Sequence, residues 1–198
     1  MRKGIFYITV LAGLILFWGG KPYHTIQATV QADTNLISNS NFTADTMPTD
    51  SGWVLSYQPD YPIFRKDAPP NDGLWSLGLV PSNMRLLENA DYYITGISGI
   101  HNYTLSFWWK IANKSSFWVL TNGSVTVGVK KNDSILQAQT MVMPNQDTMW
   151  TQHTLNLSLN TQNSDTIIVR LCGGTAKESW HAVADGLFLF DDIQLTKQ

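Results

Sequence analysis

Tyr103-Thr-Leu-Ser-Phe-Trp-Trp-Lys-Ile111 alternates along its length and shows an aromatic ring to both of its faces. Successive strand side chains point to opposite sides. Tyr103, Leu105, Phe107, Trp109 and Ile111 therefore share one face, and Thr104, Ser106, Trp108 and Lys110 share the other. The first set reads as core. On the second, Trp108 is a large flat ring where a half-buried strand normally carries Ser or Thr. Such a ring can stack against the apolar side of a pyranose, or it can serve to cover the sheet.

Further candidates supply rings and neutral hydrogen-bonding groups. Trp118 falls in the short Phe117–Leu120 segment, Trp180 in a long loop, and Tyr57 and Tyr61 in a proline-rich stretch. Arg170 is expected opposite Ile167, Val169 and Leu171, able to reach a ligand on a sheet face or to pair with a neighbouring strand. Gln137 and Gln139 alternate with Leu136 and Ala138 and are expected to add amides to that same face, or simply to be solvated. Trp109, Phe107, Trp150, Phe42 and Trp53 are expected to pack inside.

The elements positioning these residues are strands. Beyond the first 32 residues no segment repeats with a helical period. Strands are expected at Asn35–Phe42, Gly52–Tyr57, Leu74–Val80, Tyr92–Ser98, Tyr103–Ile111, Phe117–Leu120, Ser124–Lys130, Ile135–Val142, Trp150–Leu157, Thr166–Cys172 and Gly186–Thr196. Turn residues such as Asp72-Gly73, Asn122-Gly123, Lys131-Asn132-Asp133 and Gly173-Gly174 separate them. Many short strands without helices imply an all-β, two-sheet antiparallel β-sandwich, or jelly roll. The long irregular stretch Gln58–Asp72 carries four prolines. Stretches of that length are usually functional or disordered.

Residues 1–32 read as a signal peptide. Arg2 and Lys3 precede an apolar run from Ile5 to Trp18, shorter than the ~20 residues of a spanning helix. Val30-Gln31-Ala32 fits a cleavage site, with an uncleaved N-terminal anchor as the alternative. The expected location is outside the cell, secreted or held at its surface. Residues 33–198 then form one domain.

Removing 1–32 takes Arg2, Lys3 and Lys21 and no acid, which leaves 10 of the 13 basic residues against 15 acidic, a net of −5. That balance argues against nucleic acid and against an anionic membrane surface. Charged residues make up 14% of the chain, while Asn, Gln, Ser and Thr crowd the loops, which suits an uncharged, hydroxyl-rich partner. Cys172 stands alone, so no internal disulfide is available, and it reads as a small buried residue.

Three segments carry a resemblance: Asn35-Leu36-Ile37-Ser38-Asn39-Ser40-Asn41-Phe42 with Gly52-Trp53, then Tyr103 to Lys110, then Phe190-Asp191-Asp192-Ile193-Gln194-Leu195. Their types, order and placement resemble carbohydrate-binding modules of bacterial cellulases and xylanases, β-jelly rolls of the galactose-binding-like superfamily. The resemblance implies a non-catalytic module that binds a polysaccharide or oligosaccharide through one sheet face. It also implies adjacent first and last strands, with a structural calcium between them. Asp191 or Asp192 could supply a carboxylate, and the turn after Phe42 could supply carbonyls and Asp45. Asn41 and Thr43 stand where the family usually has an acidic pair, which weakens that site.

Two alternatives stay open. A jelly roll can host a glycosidase, which needs two carboxyls about 5–9.5 Å apart. Asp191 and Asp192 are neighbours expected to face opposite ways, Glu88 and Glu178 fall in expected loops, and His101, His153 and His181 show no metal-ligand spacing. The other alternative is a cell-surface interaction domain with this fold and no sugar site. Asn-x-Ser/Thr triplets at Asn41, Asn102, Asn113, Asn122, Asn132 and Asn156 arise readily in a chain so rich in those residues.

Overall fold

The computed structural model describes residues 34–55, 63–70, 73–79, 82–83, 89–112, 119–121, 123–143, 147–173, 175–176 and 187–198. The signal peptide expected over 1–32 lies outside them. The described residues belong to the unit Asp33–Gln198.

In chain order the strands are β1 (Thr43–Ala44), β2 (Met47–Pro48), β3 (Trp53–Leu55), β4 (Ile63–Arg65), β5 (Ser76–Leu79), β6 (Ser82–Asn83), β7 (Asn89–Ile94) and β8 (Gly99–Ala112). They continue as β9 (Val119–Thr121), β10 (Ser124–Lys131), β11 (Ser134–Val142), β12 (Thr151–Thr161), β13 (Thr166–Cys172), β14 (Thr175–Ala176) and β15 (Leu187–Lys197). Among the described residues there is no helix. Two five-stranded antiparallel sheets form the body: sheet I, ordered β12-β8-β15-β5-β4, and sheet II, ordered β11-β10-β13-β7-β3. A β1–β2 ribbon and a small β6-β14-β9 sheet accompany them.

The sheets close on one core. From β8, Tyr103, Leu105, Phe107, Trp109 and Ile111 are buried, as the alternation requires. They meet Val125, Val127 and Val129 of β10, Ile167, Val169 and Leu171 of β13, and Phe188 and Phe190 of β15. Trp109 is fully buried, stacked 5.6 Å from Phe188 with planes 11° apart. Emptying such a position to alanine costs about 3–5 kcal/mol.

The first and last segments lie side by side, as the resemblance implies, although Asn35–Phe42 is not the expected strand. It runs through bends with one bridge, Asn35 to Thr196. The Asn35 carboxamide oxygen takes the N–H of Ile37 and of Leu195, and so spends its bonding on a turn and on β15 together. Ser40 O accepts from Ile193 N at 2.8 Å.

Other boundaries shift for identifiable reasons. The strand expected at Tyr92–Ser98 is instead β7, three residues earlier at its start, and Gly96 and Gly99 at φ 79° and 103° turn the chain after it. Trp150 precedes β12 rather than opening it, so the alternation does not direct it inward. Instead it packs on Leu189 and Ala112, which lie on the outer face of sheet I. Strand β4 emerges within the proline-rich stretch, where no strand is expected from the sequence.

The edges of the two sheets meet at a seam. Gln137 of β11 donates its Nε2 to Ser158 O at 3.0 Å and accepts Asn160 N on Oε1 at 3.3 Å. A primary amide offers a donor and an acceptor side by side, as a peptide group does. Gln137 thus occupies part of the edge of β12 as a neighbouring strand would.

One half-buried base gives the fold a pH dependence. His153 faces the core opposite Phe107, stacked 5.7 Å from it. Burial lowers its pKa from the ordinary 6.5, against the weaker pull of Asp147, whose Oδ2 lies 4.0 Å from Nε2. The unfolded chain therefore binds this proton more readily than the folded one, so stability falls as pH drops below about 6.5. Melting curves between about pH 7 and pH 5 should show a larger fall in Tm for the wild type than for His153→Gln. Parallel curves would contradict this account.

Candidate glycan-binding face

In sheet II the buried positions of each strand fix which residues look outward. Ala90 and Tyr92 of β7 are buried, so Asn89, Asp91 and Tyr93 face out. On β13 the same logic turns Ile168, Arg170 and Cys172 outward. The register lines up Val54, Asp91, Arg170, Thr126 and Thr140 as one row across all five strands of the sheet. Beside it runs a second row, Tyr93, Ile168, Gly128 and Ala138.

The first row is bonded from within. Arg170 donates Nε to Asp91 Oδ1 at 2.7 Å and Nη2 to Oδ2 at 2.8 Å, a bidentate pair. Tyr93 donates its hydroxyl to Asp91 Oδ2 at 3.0 Å. Thr126 and Thr140 share a hydrogen bond of 2.8 Å. Lys130 Nζ lies 5.2 Å from the centre of the Tyr93 ring.

The electrostatics follow from these contacts. Donating these hydrogen bonds to Asp91 raises the Arg170 pKa, against the opposing effect of burial. Burial first, then the Asp91 charge, raises that of Tyr93, whose phenol therefore stays protonated. Asp91 is 7% exposed at its side chain and Arg170 35%. The carboxylate is locked in place, and part of the guanidinium stays open to solvent. Ile168 is fully buried although it faces outward, so the side chains around it close over it. Such an arrangement holds a ring, a guanidinium and hydroxyls in fixed positions, and those groups can bond vicinal sugar hydroxyls.

The six residues expected to bind ligand do not form one site. Arg170 is on the outer face of sheet II. Trp108 faces outward from sheet I, opposite Asp191 and Gln152. Gln137 and Gln139 pair with Val129 and Val127, which point inward, so they lie on the side opposite Arg170. The sequence could not reveal this, because β11 is exposed from Ser134 to Thr140 and lacks the alternation that marks a face. Trp118 and Trp180 lie outside the described residues.

Around Trp108 the sheet I face is half roofed. Leu189, Ser76 and Asp191 face outward yet are fully buried. Trp150 donates to Asp67 Oδ1 at 3.0 Å, Lys110 pairs with the same carboxylate, and Ser76 bonds Asp67 O at 2.7 Å. Trp108 stands half-buried at the rim of this cover. Ser106, Thr104, Gln194 and Asn156 continue the face beyond it, without charge.

Sequence reasoning missed Asp91, Tyr93, Lys130 and Thr126. The signal was available in Tyr92-Tyr93, two rings on successive strand positions like Trp108-Trp109, so that one of each pair must face outward.

The expected calcium ligands lie on two elements, the β1–β2 turn and β15. Asp45 is exposed in the β1–β2 turn at φ 57°. A bulge follows Asp191, whose Oδ1 accepts Asp192 N at 2.8 Å, and Asp192 Oδ1 accepts Gln194 Nε2 at 2.6 Å. Among the described residues no three His, Cys, Asp or Glu side chains gather as a metal site.

No protein-family model matches the sequence, and no curated protein sequence matches it. Solved structures do match. The CBM22-1 xylan-binding domain from Paenibacillus barcinonensis Xyn10C is 15% identical with a TM-score of 0.51, over 84% of this chain and 96% of that one. The fold is that of a carbohydrate-binding module. Parts of larger chains match as well. The enzymatically active domain of bacteriophage CBA120 tailspike protein 4 matches at TM-score 0.59 and 14% identity, over 83% of this chain. An arabinose-bound α-L-arabinofuranosidase, MgGH51, matches at TM-score 0.57 and 20% identity, over 82% of this chain. The present chain spans only 21% and 26% of those two.

Proposed function

We propose that this chain is a secreted, non-catalytic module that binds a neutral polysaccharide or oligosaccharide across the outer face of sheet II. The observation that carries the reading is the Asp91–Arg170–Thr126–Thr140 row with Tyr93 beside it. Tyr93 would meet the apolar side of a sugar ring, and Arg170 and the threonines its hydroxyls. Holding Arg170 by two bonds in advance removes much of the side-chain entropy that binding otherwise costs.

Binding rather than hydrolysis suits the chemistry of the face. Asp91 is its sole carboxylate among the described residues, and both of its oxygens are held by Arg170. A glycosidase needs a second carboxyl across the sugar. The similar xylan-binding domain and the two enzymes lend this reading the fold, and the face lends it the chemistry.

A second reading places the glycan on sheet I at Trp108, favoured by the uncharged run of Ser106, Thr104, Gln194 and Asn156 beside that ring. The two are separated by affinity gels and a glycan array run on the full-length chain. Tyr93→Ala and Arg170→Ala should each weaken retention roughly tenfold or more, the effect of losing about 1.4 kcal/mol. Trp108→Ala should bind as the wild type, with folding checked by melting. Loss at Trp108 alone moves the site to sheet I. Retention on no glycan leaves an interaction domain without a sugar site.

A further inference from the structure

Of the four edges of the two large sheets, three are blunted. Strands β3 and β4 have three residues each. The edge of β12 is occupied in part by the Gln137 amide. The fourth is β11, nine residues of Ser-Ile-Leu-Gln-Ala-Gln-Thr-Met-Val whose one strand partner among the described residues is β10. It carries no charge and no proline, two of the usual devices that keep an edge from pairing, and its one bulge, at Leu136, leaves Gln137–Val142 regular. It is also exposed to solvent: Leu136 is 63% exposed, Val142 59% and Ile135 39%.

We propose that β11 pairs antiparallel with β11 of a second copy of this chain, which joins two sheets II into one of ten strands. The sequence suits a two-fold axis at Ala138. Gln137 then stands opposite Gln139 of the second copy and Ala138 opposite its own counterpart, on the regular side of the bulge at Leu136, with no like charges brought together. On the outer face the two Ala138 side chains would meet at the axis, each beside Gly128 and Ile135 of its own copy. A heterologous pairing would leave one edge free and continue into fibres, whereas this isologous one closes.

The geometry has a consequence for binding. A dyad between antiparallel strands stands perpendicular to the sheet, so both outer faces look the same way. The two Arg170 strands would be five strand spacings apart, about 24 Å. A dimer therefore presents two copies of the face to one polymer, and avidity raises affinity without new contacts. The dimer itself does not depend on what the face binds.

Sedimentation equilibrium on the full-length chain should show a dimer at roughly 0.1 mM, with the amides of Ser134–Val142 protected from hydrogen exchange. Ala138→Lys places two ammonium groups at the axis and should yield monomers with an unchanged melting curve, since Ala138 is exposed. Mixing Ala138→Lys with Ala138→Glu should restore the dimer. A monomeric wild type overturns the proposal, as does a dimer that survives Ala138→Lys. Higher oligomers that survive it point to another edge and overturn it equally.

Discussion

The alternation of buried side chains along β8, β10, β13 and β15 is the constraint on which everything else rests. A strand that slips by one residue turns its whole inner set outward. For β8 that would carry Tyr103, Leu105, Phe107, Trp109 and Ile111 into water. Burial of a large apolar side chain contributes about 1.5–3 kcal/mol, so a slip costs about as much as the net stability of an ordinary domain. Register is thereby pinned, and with it the identity of every outward residue.

That constraint sets Asp91 opposite Arg170. Aspartate is disfavoured in the middle of a strand, and an outward carboxylate without a partner would weaken β7. The facing guanidinium on β13 reverses this, and bonds both oxygens. The pair is more an orienting device than a source of stability, since partly exposed ion pairs contribute little. What it supplies is a donor group fixed before any ligand arrives, with the Tyr93 hydroxyl tied to the same carboxylate. On sheet I, polar groups are spent differently. Asp67 gathers Trp150 and Lys110 over the outer surface and covers part of it.

The sequence was legible wherever one strand face is buried. Thr166–Cys172 is β13 to the residue, and the burial of Trp109, Phe107, Phe42 and Trp53 follows from their positions. The fold class and the meeting of the first and last segments could be read as well. The sites were harder, because outward residues carry no pattern of their own. Trp108 and Arg170 both face out, but only pairing between strands shows that they face out from different sheets. Gln137 and Gln139 look alike in sequence to solvated amides, while one of them bridges the seam. Asp91 hid the start of β7, because an acid inside a strand is disfavoured until its partner, 79 residues away, is seen.

The central claim is that the outer face of sheet II, built on Arg170 and Tyr93, receives the sugar. The most direct measurement is an amide and side-chain NMR titration with the oligosaccharide best retained on the glycan array. The account predicts shifts confined to Asp91, Tyr93, Thr126, Thr140 and the Arg170 Nε–H. Shifts centred on the Trp108 indole, with the Arg170 Nε–H unmoved, would contradict it.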